Sequence, residues 1–161
     1  MRLKVYIKYF NPGCKVADFA KGDWIDLKAA EPVRGFKGEL FYIPLGVAMD
    51  LPHGFEAIVA PRSSTPKNFG FIVPNSIGVI DNSYCGDNDQ WKCPALFFGD
   101  GEVYRGDRIC QFRIQLSQKA TFWDKLKWLF SDGFEFIEVE QLGAVDRGGF
   151  GSTGVAGCAC N

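Results

Sequence analysis

The sequence contains one histidine, no CxxC pair, no long apolar run and no excess of charge of either sign. The lone histidine, His53, lies between Leu51-Pro52 and Gly54 and reads as a turn residue. Eighteen Lys plus Arg stand against nineteen Asp plus Glu, a net charge of −1. No global field therefore draws the chain to nucleic acid or to an anionic membrane, and any anionic ligand must be met by local basic groups or a metal. GxxxxGK[ST] and GxGxxG are both absent, so neither phosphate-cradling fingerprint is present. No stretch approaches the roughly 18 apolar residues of a membrane span. The opening MRLKVYIKYF alternates basic and apolar residues and lacks the apolar centre of a signal peptide, so a cytoplasmic location is expected. Without export, the six cysteines read as reduced thiols, Cys158 and Cys160 included.

Present instead is ample apolar material: 47% hydrophobic residues, 15% of the chain aromatic, enough for the core of one domain. Short β-type runs recur between Gly, Pro, Asn and Asp: Val5 to Phe10, Glu39 to Pro44, Glu56 to Ala60, Ser76 to Ile80, Ala95 to Phe98, Arg108 to Leu116 and Phe134 to Val139. Their spacing predicts an all-β sandwich or barrel of jelly-roll type rather than βαβ units. One segment differs. Thr121 to Phe130 spaces Phe122, Leu126, Leu129 and Phe130 helically, with Asp124, Lys125 and Lys127 opposite, which predicts a short amphipathic helix over 121–130. The division expected is a β-domain over 1–140 and a Gly-rich arm over 141–161, which cannot bury a core by itself.

Five segments carry the chemistry: Asp26-Leu27-Lys28-Ala29, Pro61-Arg62-Ser63-Ser64, Asn75 through Gly86 (NSIGVIDNSYCG), Gly106 through Phe112 (GDRICQF) and Arg147 through Gly154 (RGGFGSTG). In Ile80-Asp81-Asn82-Ser83-Tyr84, a strand-like run gives way to turn residues, which suits a β-hairpin with a carboxylate at its mouth. Arg62, Ser63 and Ser64 supply a guanidinium and hydroxyl donors after a stiffening proline. Glycines in the last segment let backbone amides approach phosphate, and Phe150 offers a face for stacking on a base. Asp87, Asn88 and Asp89 lack the spacing of a calcium loop and read as a solvated insertion.

Order, wording and separation of these segments resemble the five motifs of trimeric dUTP diphosphatases, over nearly the whole chain. The resemblance implies a magnesium-dependent hydrolysis of dUTP to dUMP and pyrophosphate by a homotrimeric jelly-roll β-barrel, limiting uracil in DNA. It implies that Asp81 orients the attacking water and that Gln111 touches the α phosphate or that water. Asn75 and the backbone of Gly78, Val79 and Ile80 would read uracil, with Tyr84 packed under the deoxyribose. Arg62, Ser63 and Ser64 would take the α and β phosphates. The arm, through Arg147, Phe150, Gly151, Ser152 and Thr153, would close over a neighbouring subunit's site, with Arg147 at the γ phosphate. Asp26 would face magnesium through metal-bound water. Two departures stand out: Gly22 lies farther from Asp26 than in the family's usual wording, and two residues are missing between Arg147 and Phe150. Arg108 reads equally as structural, as a trimer contact or as functional.

The assigned chemistry is reasonable on its own terms. Uracil presents an acceptor, donor, acceptor edge, so a buried edge built for it leaves unpaired polar groups against cytosine, at about 1 to 3 kcal/mol each. Two rival functions are a dCTP deaminase of the same fold and a nucleotide-gated regulatory protein whose partner docks on 121–130.

Overall fold

Period-two alternation decides the first strand: in LKVYIKY, Leu3, Val5 and Ile7 are buried while Lys4 and Tyr6 face outward. A computed structural model of the chain describes residues 1–16 and 22–151. Its strands are β1 (Leu3–Tyr9), β2 (Ile25–Lys28), β3 (Val33–Gly35), β4 (Leu40–Pro44), β5 (Val47–Asp50), β6 (Phe55–Pro61), β7 (Phe71–Ile72), β8 (Gly78–Ile80), β9 (Lys92–Phe97), β10 (Gly101–Val103), β11 (Arg108–Leu116) and β12 (Phe134–Glu138), with helices α1 (Thr65–Phe69) and α2 (Phe122–Leu129).

The strands pair in the orders β12-β1-β5, β10-β3, β2-β11-β6-β8 and β4-β9-β7. β1 and β12 run parallel, and the other strand pairs are antiparallel. The result is an all-β, jelly-roll fold around one aromatic-rich core. Trp91, Phe55, Phe71, Phe97 and Phe112 are its largest fully buried side chains. Trp91 meets Phe112 edge-on at 5.3 Å and Phe71 meets Phe97 at 5.5 Å, within the range of favourable ring geometry.

The expected run Arg108 to Leu116 coincides with β11. The short strands β2, β3, β5, β7 and β10 have no counterpart among the expected runs, because in two to four residues alternation is absent or, as in β2, too brief to stand out. Within 75–86 the structure differs from the expected hairpin. β8 pairs with β6, while β9 pairs with β4 and β7, so Asp81 to Tyr84 form a turn leading away from the sheet rather than the tip of a two-stranded ribbon.

The helix over 121–130 is present as α2, with a different buried side. Thr121 caps it: its hydroxyl accepts from the Asp124 amide at 3.2 Å, while the Asp124 carboxylate takes the Thr121 amide at 2.8 Å and hydroxyl at 2.7 Å. This reciprocal cap turns Asp124 inward, where it is buried, and leaves Phe122, Trp123, Leu129 and Phe130 exposed. Trp128 anchors the helix, stacking on Phe134 at 5.1 Å and meeting Phe55 at 5.7 Å. His53, in its turn, places Nδ1 3.2 Å from Asp124. Gly54 beside it has φ +80°, and a Cβ there would lie 2.6 Å from the Asp124 carboxyl carbon.

Hydrogen bonds from the Thr121 hydroxyl and amide, with a further one from His53, hold the Asp124 carboxyl down at about 2. A depressed carboxyl contributes stability above the ordinary carboxylate range and loses it as pH falls through its folded value. The Tm difference between wild type and Asp124→Asn is therefore expected to be open at about pH 6 and to narrow as pH falls towards about 2. Thermal melts across that range check it.

Candidate active site

β11 runs between β2 and β6, and the register sets Gln111 level with Asp26 on one side and Ala60 on the other. Residues directly opposite in antiparallel strands share a face, so Asp26 and Gln111 stand together, beside the end of β6 from which Arg62 projects. Arg62 Nε lies 2.8 Å from Asp26 Oδ1 and Arg108 Nη1 lies 3.0 Å from Asp26 Oδ2. Arg62 Nη1 donates to the Arg108 carbonyl at 3.3 Å, and Gln111 Nε2 donates to the Pro61 carbonyl at 3.2 Å. Two guanidiniums around one carboxylate leave net positive charge on a partly exposed surface, which suits phosphate. Exposed Ser63 and half-buried Ser64 follow, Ser64 entering α1.

The residue that shapes this loop is Thr65, which no sequence motif singled out. Fully buried, it accepts from the Arg62 amide at 3.1 Å and donates to the Ile109 carbonyl at 2.8 Å, tying the Arg62 loop to β11. Thr65→Val keeps the shape but strands both partners, at a cost of about 2 kcal/mol. The expected outcome is a lower Tm together with a raised KM for a triphosphate substrate, measured by melts and steady-state kinetics.

A second set of residues surrounds a cavity of about 280 Å³. Asn75, Gly78, Val79 and Ile80 form one wall, Asp81 and Tyr84 stand at the turn, and Trp91 closes the inner side. Asp81 Oδ1 accepts from the Ser83 amide at 2.8 Å and the Ser83 hydroxyl at 2.5 Å, the local closure expected of an Asp turn. Tyr84 donates to the Gln90 carbonyl at 3.1 Å, which fixes its ring.

The arm crosses this cavity within the same chain. Arg147 is ion-paired to Asp81, and Gly149 passes so close to Tyr84 that a Cβ would lie 3.3 Å from the ring. Phe150 meets Tyr42 at 4.8 Å and has φ 54°, a conformation costly for a residue other than glycine. Gly151 also lines the cavity. Ser152, Thr153, Cys158 and Cys160 lie outside the described residues. Partial burial pushes the Asp81 carboxyl up, but hydrogen bonds from the Ser83 hydroxyl, Arg147 and the Ser83 amide, with the Arg147 charge, outweigh it and hold the group below the usual carboxylate range.

Within one chain Asp81 and Arg62 stand towards opposite ends of β6. Gly78 pairs with Val59 and Ile80 with Ala57, and Asp81 follows Ile80 in the turn beyond that pairing. At about 3.3 Å per residue, Arg62 lies about 16 Å along β6 from the Ala57 level. One half of the site holds Asp81 and the cavity, and the other holds Asp26, Arg62 and Gln111.

The same architecture recurs in solved structures. The fold of a Streptococcus mutans dUTPase matches with a TM-score of 0.62 at 23% identity, covering 70% of this chain and 93% of that one. A mutant dUTPase from phage phi11 of S. aureus, whose structure contains a structural Mg(II) ion, matches with a TM-score of 0.61 at 15% identity, covering 73% and 94%. In sequence, the dUTPase family model matches residues 24–122. The SPbeta prophage-derived deoxyuridine 5'-triphosphate nucleotidohydrolase YosS of Bacillus subtilis (strain 168) is 50% identical over 153 residues, covering 94% of this chain and 99% of that protein. The corresponding enzyme of Thermobifida fusca (strain YX) is 33% identical, covering 94% of this chain and 79% of that protein.

The chain belongs to the dUTPase family.

For a dUTPase, the arrangement assigns Arg108 a definite place, on Asp26. It also corrects one reading from sequence: Asp89 is not part of a solvated insertion but is buried, 1% exposed. Among the described residues, no group of three or more His, Cys, Asp or Glu could hold a metal ion. Asp26, both oxygens already held by guanidiniums, fits a contact to magnesium through water rather than direct ligation, with the substrate's phosphates as the main ligands.

Proposed function

We propose that this dUTPase hydrolyses dUTP to dUMP and pyrophosphate, the uracil seated in the cavity beneath Asn75 to Ile80 and the phosphates gripped by Arg62, Ser63, Ser64 and Gln111. The observation that carries this reading is Asp81: a carboxylate held ionised at the mouth of a cavity sized for part of a nucleotide. In this mechanism Asp81 orients a water and accepts its proton as the oxygen attacks the α phosphorus, and the bond from that phosphorus to the bridging oxygen of pyrophosphate breaks. Gln111 holds the α phosphate or the water, Tyr84 packs under the deoxyribose, and Asp26 faces magnesium through its water. Magnesium, when bound, neutralises triphosphate charge.

The separation of the two halves argues for an assembly. An α phosphate at the water of Asp81 is out of reach of an Arg62 about 16 Å along β6 from the Ala57 level that Ile80 faces, which supports a phosphate-gripping half supplied by another copy of the chain. A homotrimer in the cytoplasm with three shared sites accommodates this. The arm, including Arg147, Phe150, Ser152 and Thr153, then covers the bound nucleotide, which requires Arg147 to leave Asp81 for the γ phosphate.

Incubation with magnesium and dUTP, dCTP, dTTP or UTP in parallel, with products separated by chromatography, tests the substrate. dUMP and pyrophosphate from dUTP alone is the expected result. dUTP appearing from dCTP would mean a deaminase.

A further inference from the structure

Asn75 and the backbone of Gly78 to Ile80 form one wall of the base cavity. Another part of the lining comes from β9, which lies outside all five segments that carry the chemistry: Lys92 and Pro94 line the same cavity. Alternation puts them there. Cys93 and Ala95 point into the core, 1% and 0% exposed, so Lys92 and Pro94 turn to the other side of the sheet. On the neighbouring strand β4, Pro44 stands opposite Lys92 and Tyr42 opposite Pro94, and directly opposed residues share a face. The result is a mostly apolar wall with one ammonium at its end. Its place is fixed by Trp91, which closes the inner side: the Trp91 amide donates to the Val47 carbonyl at 2.8 Å, and the Trp91 carbonyl accepts from the Leu45 amide at 2.9 Å. Lys92 therefore leaves the core directly beside the inner end of the cavity.

Arg62 and Arg108 are held by Asp26, and Arg147 by Asp81, whereas Lys92 makes no ion pair among the described residues. A ligand can engage it without breaking a contact within the protein. We propose that Lys92 is a specificity-determining residue for the base: its aliphatic stem packs on the pyrimidine beside Pro94, and its ammonium donates to the carbonyl at C4. An ammonium offers donors and no acceptor. Uracil presents a carbonyl oxygen at C4, whereas cytosine carries an amino group there, also a donor. Donor against donor leaves both unpaired in a confined cavity, which is how a polar site rejects a near-isosteric ligand.

The inference rests on the dUTPase reading and deepens it: recognition of uracil by Asn75 and the backbone of one strand gains a charged side chain from another. A phosphate contact is the competing role for a lysine. The position of Lys92 beside Trp91, among residues that line the base cavity and apart from the Arg62 loop, favours the base.

Calorimetric titrations with deoxyuridine, deoxycytidine and inorganic triphosphate separate base from phosphate without relying on turnover. In Lys92→Met, which keeps the stem and removes the charge, the Kd of deoxyuridine is expected to rise about tenfold, while those of deoxycytidine and triphosphate stay within about twofold. Lys92→Arg keeps a cation that only donates, and is expected to hold the preference for deoxyuridine within about threefold of wild type. Lys92 is exposed, so neither variant disturbs the core, and equal Tm values check this. Unchanged deoxyuridine binding in Lys92→Met overturns the proposal. An equal loss of triphosphate binding also overturns it, because the ammonium would then serve the phosphates. A wild type with no preference for deoxyuridine over deoxycytidine removes the dUTPase reading and this inference together, whereas a selective wild type with an unaffected variant removes the role of Lys92 alone.

Discussion

Asp81→Asn is expected to lower kcat for dUTP about a thousandfold while KM changes by less than about threefold. The substitution is isosteric and its side-chain oxygen can still accept from the Ser83 amide and hydroxyl, so the turn survives. What disappears is the ability to take a proton from water, which for a positioned general base is commonly a factor of 10² to 10⁴. The pH dependence follows from the same contacts. Because Asp81 is held below the ordinary carboxylate range, near pH 4, it stays ionised through neutrality and contributes no acid limb to the kcat/KM profile above about pH 5. Steady-state kinetics of the variant and a profile of the wild type between about pH 5 and 8 check both statements. A variant retaining more than a tenth of the wild-type kcat would remove Asp81 from the proton transfer.

Phe112→Ala is expected to destabilise the protein by about 3 to 5 kcal/mol, the usual cost of emptying a buried aromatic site. Phe112 is fully buried between Trp91, edge-on at 5.3 Å, and Phe136 at 6.2 Å, so no single neighbour can collapse into the space. At this chain length the loss corresponds to a fall in Tm on the order of 10 °C. Gln111 precedes Phe112 on β11, and both Asp26 on β2 and Pro61 on β6 pair across that strand, so the void lies directly under the phosphate half. Thermal melts and a KM measurement at low temperature separate the two effects. A Tm change below about 3 °C would mean that this aromatic cluster is not the centre of the core.

Long alternating strands were legible because alternation needs length: β1 displays it over Leu3 to Ile7 and β11 over Cys110 to Ile114, within strands of seven and nine residues. β2 alternates over only four residues, too short a run to stand out, and β5 does not alternate, so the sheet position of Asp26 could not be read from its own segment. The individual motifs were visible through residue type, but what joins them was not. Thr65 and Asp89 are short polar side chains in turn-rich segments, where polar residues are ordinarily solvated. Their burial follows from elements far along the chain, Ile109 for one and Arg147 with Gly148 for the other. Nor did helical spacing predict which face of α2 turns inward, because the reciprocal cap of Thr121 and Asp124 outweighs the apolar stripe. The distance between the two halves of the site is a property of strand register, which no motif carries.

The most direct test of the account is to turn over dUTP in water enriched in oxygen-18 and weigh both products. Attack by the Asp81-oriented water on the α phosphorus predicts one labelled oxygen in dUMP and none in pyrophosphate. Label in pyrophosphate would place the attack on the β phosphorus and contradict it.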